Sequence, residues 1–235
     1  MSDPPDDSPG AAAPHYAGHR DRLRQRFLSA GAASLADYEL LELLLFGCIP
    51  RRDVKPLAKQ LIAQFGSLGG VIAADPAQLE RRSGLGPATV ATLKAVGAVA
   101  QRMLKEEVTD QPVLGNWPQL LAYLQVAMRY EKTEQFRLLF LDKKNRLIAD
   151  EVQQRGTVDH TPVYPREVVR RALDLHASAL IMVHNHPSGD PTPSRADIDM
   201  TKEVGRALGS VDIVLHDHLI VGRNRHSSFR ALGLL

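Results

Sequence analysis

Apolar and polar residues follow a helical spacing through the first half of the chain. From Ser34 to Met103, apolar residues recur at intervals of three and four in stretches such as YELLELLLFG and DVKPLAKQLIAQFG, without strand-like runs between them. The polar segment KEEVTDQPVLGNWPQ, which contains two prolines and a glycine, then interrupts the pattern. The sequence therefore predicts an all-helical N-terminal module followed by a linker.

The second half of the chain alternates between short apolar runs and amphipathic segments. The pattern predicts one more helix from about Pro118 to Tyr130, followed by strands and helices in alternation. In order these are the strands FRLLFLD and RLIADEVQQRG joined by a DKKN turn, a helix opening at Pro165, the strand ALIMV, a helix after Ser194, and the strands VDIVLHDHLIVG and HSSFRALGLL. Short strands interleaved with helices predict an α/β or α+β domain.

These patterns divide the chain into four parts. Residues 1–14 are acidic and rich in proline and small residues, which predicts a disordered leader, and residues 15–105 form the helical domain. Residues 106–116 form the linker, and residues 117–235 form the α/β domain. The leader lacks the features of a signal peptide, no apolar run approaches the roughly 18 residues of a membrane span, and Cys48 is the single cysteine. We therefore expect a cytoplasmic protein with no membrane contact.

The helical module contains a turn that could meet nucleic acid. In QLERRSGLGPATVA one helix ends, Gly84 and Gly86 form a turn, and Pro87 takes the first position of the next helix. Such glycines allow close approach to a phosphate, and residues 15–108 carry 13 Lys and Arg against nine Asp and Glu. The turn resembles a helix-hairpin-helix motif, which implies DNA binding through Gly84, Gly86 and Thr89. An ordinary packing turn with a solvated basic surface is the alternative.

The segment IMVHNHPSGDPTPSRAD, residues 181–197, holds the candidate chemistry. Because side chains alternate along a strand, His184 and His186 point to the same face and offer two imidazoles to one metal ion. A catalytic zinc site needs a third protein ligand in addition to water. Asp197 could supply it, but Ser194 and Asp197 also have the spacing of a capping box before a helix. From the residues alone, both interpretations remain open.

These residues closely resemble a known family. The order His184-x-His186, then PSG, then Ser194-x-x-Asp197 resembles the JAMM signature of MPN-type zinc metallohydrolases, and HNHPSGDPTPSRAD resembles the RadC family in particular. The resemblance extends to YELLELLLFG, SGLG, GTVDHTPVYPREVV, DHLIVG and SFRALGLL. It implies an MPN-like domain with a mixed β-sheet flanked by helices. It also implies one Zn²⁺ per chain, held by His184, His186 and Asp197, with Ser194 polarising the substrate carbonyl.

In this family a glutamate upstream of the histidines assists the zinc-bound water. Glu134 precedes the strand FRLLFLD, as the family pattern asks, and we favour it as the catalytic base over Glu151 in the middle of RLIADEVQQ. A second pair, His216 and His218, has no spaced carboxylate after it. We expect His218 to be structural or to support the metal ligands, and His216 is a departure from the RadC pattern.

The resemblance implies a zinc-dependent hydrolase of the metallopeptidase or isopeptidase type, acting on a peptide or isopeptide substrate. The alternative is a DNA-binding repair or recombination protein, in which the metal site is a nuclease centre or only structural. A third interpretation is an inactive scaffold on an MPN fold, as in family members that lack the metal ligands. The intact set of His184, His186 and Asp197 argues against it. The motif does not specify the scissile bond, the oligomeric state or whether DNA is bound in the cell.

Overall fold

The computed structural model describes residues 18–81, 85–109, 111–155 and 163–235. The chain divides into two compact units, Met1–Val96 and Gly97–Leu235, and the division falls inside a long helix. No helix in the described ranges is both long and apolar enough to cross a bilayer. The predicted leader, Gly84 and residues 156–162 lie outside the described residues.

The described part of the N-terminal unit is helical. Its helices are α1 (His19–Ala30), α2 (Asp37–Cys48), α3 (Lys55–Phe65), α4 (Leu68–Ala73), α5 (Pro76–Glu80) and the first half of α6 (Pro87–Thr109). Local signals set several ends: α3 stops at Gly66 in the left-handed conformation, and the Asp75 carboxylate accepts hydrogen bonds from the first amides of α5. Leucines on the inner faces of α2 and α3, including Leu41, Leu45 and Leu61, form a buried core.

The C-terminal unit is built on a five-stranded mixed sheet. Its further elements are α7 (Trp117–Met128), β1 (Gln135–Leu141), β2 (Leu147–Arg155), α8 (Pro165–Asp174), β3 (Ala179–Asn185), α9 (Arg195–Gly209), β4 (Val214–Val221) and β5 (His226–Ser228). The strand order is β2-β1-β3-β4-β5, with β3 and β4 parallel and the other neighbours antiparallel. The predicted fold class is therefore confirmed in both units.

Helices cover both faces of this sheet. Leu139, Ile181 and Leu219 pack against α7 on one face, and Leu138, Met182 and Phe140 pack against α8 and α9 on the other. Every residue of β1 and β3 is buried because both strands lie inside the sheet and are covered on both sides. The helix α9 connects the parallel strands β3 and β4, so the carboxyl end of β3 and the start of α9 meet at one edge of the sheet.

Two elements differ in extent from the sequence prediction. The helix α6 continues to Thr109, through four residues assigned to the linker, because its residues 105–109 lack a helix breaker and the next proline is Pro112. The predicted strand HSSFRALGLL is a strand only over His226–Ser228. Beyond Ser228 the chain turns, since the Arg230 amide donates to the Asp217 carboxylate instead of to a neighbouring strand.

Candidate metal centre

The two histidines of the HNH segment lie at the carboxyl end of β3. His184 is fully buried and His186 is half-buried just beyond the strand. Ser194 is the N-cap of α9, and Asp197 is the third residue of that helix. The strand ends and the helix begins at the same edge of the sheet, so the loop HPSGDPTP brings the carboxylate of Asp197 back to the histidines.

The three side chains form a compact cluster. The Nε2 atoms of His184 and His186 are 3.0 Å apart, and they lie 3.4 and 3.6 Å from the Oδ1 and Oδ2 atoms of Asp197 respectively. All three ligand atoms lie within 4.8 Å of one another. Among the described residues, this is the one group of three or more such side chains that could hold a metal ion.

Hydrogen bonds fix which nitrogen of His186 carries the proton. The Nδ1 atom of His186 lies 2.8 Å from the carbonyl oxygen of Asp190. A carbonyl oxygen only accepts, so Nδ1 is the donor and the neutral ring keeps a lone pair on Nε2. The Nε2 lone pair is therefore directed at the cluster.

A buried chain of hydrogen bonds fixes His184 in the same way. The hydroxyl of Thr201 donates its single hydrogen to the Asp197 carbonyl oxygen at 2.5 Å, so it accepts from His218 Nδ1 at 2.6 Å. Neutral His218 then presents the lone pair of Nε2 to His184 Nδ1, 2.8 Å away, and Nδ1 of His184 donates to it. The remaining nitrogen, His184 Nε2, consequently also faces the cluster with a lone pair.

The electrostatics of the cluster suit a cation. Burial lowers the pKa of His184 to about 4, although the charge of Asp197 opposes this. Burial tends to raise the pKa of Asp197, but the adjacent imidazoles of His186 and His184 and the hydrogen bonds from Ser194 hold that pKa well below its usual range. Proximity to the Asp197 carboxylate raises the pKa of His186. Near neutral pH, Asp197 is ionised and His184 is neutral, which are the protonation states of metal ligands.

The capping box predicted for Ser194 and Asp197 is present, and it leaves one oxygen of the Asp197 carboxylate facing the histidines. Its Oδ2 atom accepts a hydrogen bond from the Ser194 amide at 2.7 Å, and the Ser194 hydroxyl accepts from the Asp197 amide at 3.1 Å. Meanwhile the Oδ1 atom faces His184. The capping box thus orients the carboxylate toward the histidines.

The distances within the cluster fit a metal ion. A tetrahedral ion with bonds of about 2.0–2.1 Å separates its ligand atoms by about 3.3 Å. The two Nε2 atoms are 3.0 Å apart, and each lies close to this value from one oxygen of the Asp197 carboxylate, at 3.4 Å from Oδ1 and 3.6 Å from Oδ2. Two imidazole lone pairs that face each other repel unless a proton or a metal ion lies between them. The cluster therefore has both the spacing and the donor set of a metal site.

The two candidate glutamates have different surroundings. Glu134 immediately precedes β1, two residues before Phe136, which pairs with His184 in the sheet, and its charge contributes to the raised pKa of His186. Glu151 lies on β2, and Arg171 of α8 binds both of its carboxylate oxygens, at 2.5 and 2.9 Å. The hydrogen bond from Arg171 lowers the pKa of Glu151. The contacts thus commit the Glu151 carboxylate to an ion pair with Arg171.

The two histidines of the second pair, His216 and His218, lie in different surroundings. His218 is buried behind His184 in the hydrogen-bond chain described above, a role that the sequence pattern anticipated only in general terms. His216 instead lies 2.7 Å from the Oδ1 atom of Asn145, in the turn between β1 and β2. Asp217 accepts hydrogen bonds from the hydroxyl of Ser228 and the amide of Arg230, and so holds the C-terminal segment.

The predicted nucleic-acid residues lie at the start of α6. Gly86 is exposed, whereas the side chain of Thr89 is buried, and the Thr89 amide donates to the Gly86 carbonyl oxygen at 3.0 Å. Gly86 and Thr89 border a surface pocket that Arg51 and Arg52 also line. This part of the N-terminal unit thus combines a helix start with two exposed cations, while Thr89 itself contributes to packing.

Each of the two units matches a known protein family over most of its length. A family described as RadC-like JAB domain matches residues 114–234, which include the whole candidate metal centre. A second family, described as UPF0758 N-terminal, matches residues 17–91. The first match alone covers more than half of the 235 residues. The chain therefore belongs to the RadC family and carries an MPN/JAB domain in its C-terminal unit.

Proposed function

We propose that the protein is a zinc-dependent hydrolase of the JAMM type that cleaves a peptide or isopeptide bond. The observation that carries this proposal is the cluster of two imidazoles and one ionised carboxylate whose ligand atoms all lie within 4.8 Å of one another. Two nitrogen ligands and one oxygen ligand match catalytic zinc sites, which use three protein ligands and keep one position open.

His184, His186 and Asp197 would hold the ion. Imidazole ligands favour zinc over magnesium or calcium, which prefer sites made only of oxygen atoms. When bound, zinc acts as a Lewis acid and lowers the pKa of a coordinated water to about 7. The hydrogen-bond chain through His218 and Thr201 keeps His184 in the tautomer that can bind the ion.

Glu134 is the proposed catalytic base. Glu134 lies directly before β1, whose Phe136 pairs with His184 in the sheet, so the segment that carries its carboxylate reaches the sheet edge where the histidines lie. A carboxylate there would accept a proton from an attacking water. The same carboxyl group can then donate that proton to the leaving amine. Glu151 is unsuited to this exchange because Arg171 engages both of its oxygens.

Ser194 is the proposed group that polarises the substrate carbonyl. Its hydroxyl oxygen accepts a hydrogen bond from the Asp197 amide. The hydroxyl hydrogen can therefore be donated to a substrate carbonyl oxygen. The residue is exposed beside the half-buried His186 and Asp197, where a substrate can approach. A hydrogen bond to the carbonyl oxygen would stabilise the negative charge that develops there.

Metal analysis tests the ligand assignment independently of activity. We expect about one zinc ion per chain by elemental analysis of the purified protein. A variant with both His184→Ala and His186→Ala should bind none, whereas His216→Ala should bind as the parent does because His216 contacts Asn145 instead. Stoichiometric zinc in the double variant would refute the assignment.

Two matched glutamate variants test catalysis. Glu134→Gln should retain zinc but lose hydrolysis of a peptide-like or isopeptide substrate by about 10²–10⁴-fold, because glutamine cannot accept the proton. Glu151→Gln should stay active, since Glu151 pairs with Arg171. The reverse pattern would assign the base to Glu151. Unchanged activity in both would mean that the centre does not work as a JAMM hydrolase.

DNA binding by the N-terminal unit is a second proposal, supported by Arg51 and Arg52 beside the start of α6. The full chain should then bind duplex DNA with an affinity that falls steeply with salt. If each arginine contacts one phosphate, Arg51→Ala with Arg52→Ala should reduce the magnitude of the log–log salt slope by about 1.8. DNA cleavage that depends on Glu134 would instead identify the metal centre as a nuclease.

A further inference from the structure

Asn185 lies between the two histidines of the HNH segment but faces the other side of β3. Because side chains alternate along a strand, its carboxamide points away from the face that carries His184 and His186. The side chain is buried, with 1% of the residue exposed. A buried carboxamide needs hydrogen-bond partners, so the partners indicate what this residue holds.

All three hydrogen-bond partners of the Asn185 side chain are backbone groups of one segment, residues 131–135. The Gln135 amide donates to Asn185 Oδ1 at 2.8 Å. The Nδ2 atom of Asn185 donates to the carbonyl oxygens of Thr133 at 3.1 Å and of Glu131 at 3.4 Å. Glu134 lies inside the segment that these three bonds enclose.

The bonds extend the connection between β1 and β3 past the end of their ladder. The paired residues of the two strands end at Phe136 and His184, one residue short of Asn185. Beyond that point the carboxamide of Asn185 forms the hydrogen bonds between the two segments: it accepts from one backbone amide and donates to two backbone carbonyl groups. No other side chain of this length offers both an acceptor and two donors. The side chain of Gln135 is itself held, since its Oε1 accepts from Arg137 Nη2 at 3.1 Å.

We propose that Asn185 is a positioning residue for the carboxylate of Glu134. It fixes the segment that carries Glu134 to the same strand end that carries the metal ligands, and so sets the distance between base and centre. This inference rests on the proposed function, in which Glu134 is the base. Placement matters because a catalytic group displaced by about 1 Å can lose on the order of 10²-fold in rate.

Cobalt-loaded protein gives a test that needs no substrate. The visible absorption spectrum of bound cobalt(II) changes with pH at a midpoint that nearby charges shift. Glu134→Gln removes a negative charge and should move this midpoint to lower pH. Asn185→Ala releases the segment and should move the midpoint in the same direction, by at least half as much. The double variant should match Glu134→Gln alone, because Asn185 acts only through Glu134.

A control variant tests whether the loss of any carboxamide shifts the midpoint, and a second variant at Asn185 covers a failure of the first to fold. Asn116→Ala removes another carboxamide that binds a backbone carbonyl group of the same unit, that of Glu107, and should leave the midpoint unchanged. Asn185→Ser, which is smaller but polar, replaces Asn185→Ala if that variant does not fold. All variants should still bind one cobalt ion, since the ligands are intact.

The possible outcomes separate the inference from the proposed function. If Glu134→Gln moves the midpoint but neither Asn185 variant does, the positioning role is wrong and the function stands. Shifts that add in the double variant would also overturn the positioning role. If Glu134→Gln itself leaves the midpoint unchanged, Glu134 is not at the centre, and the proposed base and the inference fail together.

Discussion

Replacing Thr201 with valine removes one hydroxyl group from the buried chain behind His184, and we expect it to weaken zinc binding. Valine preserves the branched shape of threonine but offers neither the donor to the Asp197 carbonyl oxygen nor the acceptor for His218 Nδ1. His218 is completely buried, so water cannot replace the lost partner without rearrangement. The proton on His218 Nδ1 is then left without a hydrogen-bond acceptor.

The expected magnitude follows from the two ways in which the chain can respond. If His218 keeps its tautomer, an unpaired buried donor costs about 1–3 kcal/mol. If the proton moves to His218 Nε2, that atom meets the proton on His184 Nδ1, 2.8 Å away. His184 must then carry its proton on Nε2, where it blocks the metal. Groups that support metal ligands typically contribute about 10–100-fold in affinity, which is about 1.4–2.7 kcal/mol.

Competition with a chromophoric chelator measures this loss directly. Thr201→Val should bind zinc about 10–100-fold more weakly than the parent protein. Thr92→Val is the matched control, because the Thr92 hydroxyl also donates to the carbonyl oxygen four residues earlier and accepts from a second side chain, Cys48. That variant should bind zinc as the parent does. An affinity of Thr201→Val within about twofold of the parent would refute the role of the chain.

Two further predictions concern stability. Burial lowers the pKa of His184 to about 4 and that of His218 well below 6.5, so below pH 6.5 the unfolded chain binds protons that the folded chain excludes. Chelator-treated protein should therefore lose up to about 1.4 kcal/mol per histidine over each pH unit below that value, as measured by thermal unfolding; a flat profile would contradict this. Separately, Arg137→Leu removes the nearer cation of the buried Asp150 carboxylate, 2.7 Å away, and leaves it the Tyr123 hydroxyl and the Lys105 ammonium at 3.9 Å. Urea unfolding should show a loss of about 3 kcal/mol, near the lower end of the range for a broken buried pair. A loss below about 1 kcal/mol would show that the pair behaves like an exposed one.

Much of the fold followed from short-range patterns in the sequence. The alternation of strand side chains placed His184 and His186 on one face, and their Nε2 atoms indeed lie 3.0 Å apart. The spacing of Ser194 and Asp197 predicted the capping box at the start of α9, which is present. These features depend on dihedral angles and on residues within one turn, so the local sequence is sufficient to specify them.

The sequence could not decide between the two interpretations of Asp197, since both require the same spacing. In the structure the carboxylate forms the capping box and also approaches the histidines, with Oδ2 accepting from the Ser194 amide and Oδ1 3.4 Å from His184 Nε2. The choice between Glu134 and Glu151 was also open to the residues alone. In the structure Arg171 on α8 pairs with Glu151, and this contact, which joins residues 20 apart along the chain, supports the proposal of Glu134 as the base.

The supporting residues were decided only by tertiary structure. His218 reaches His184 across 34 residues, and Asn185 reaches the segment before β1 across 50. Both contacts depend on the register of β3 against its two neighbours, β4 and β1. Register is set by the packing of both sheet faces against helices, and a slip of one residue would reverse the direction of every side chain. The sequence by itself thus determined which residues could bind a metal, whereas the packing of the sheet determined which residues orient them.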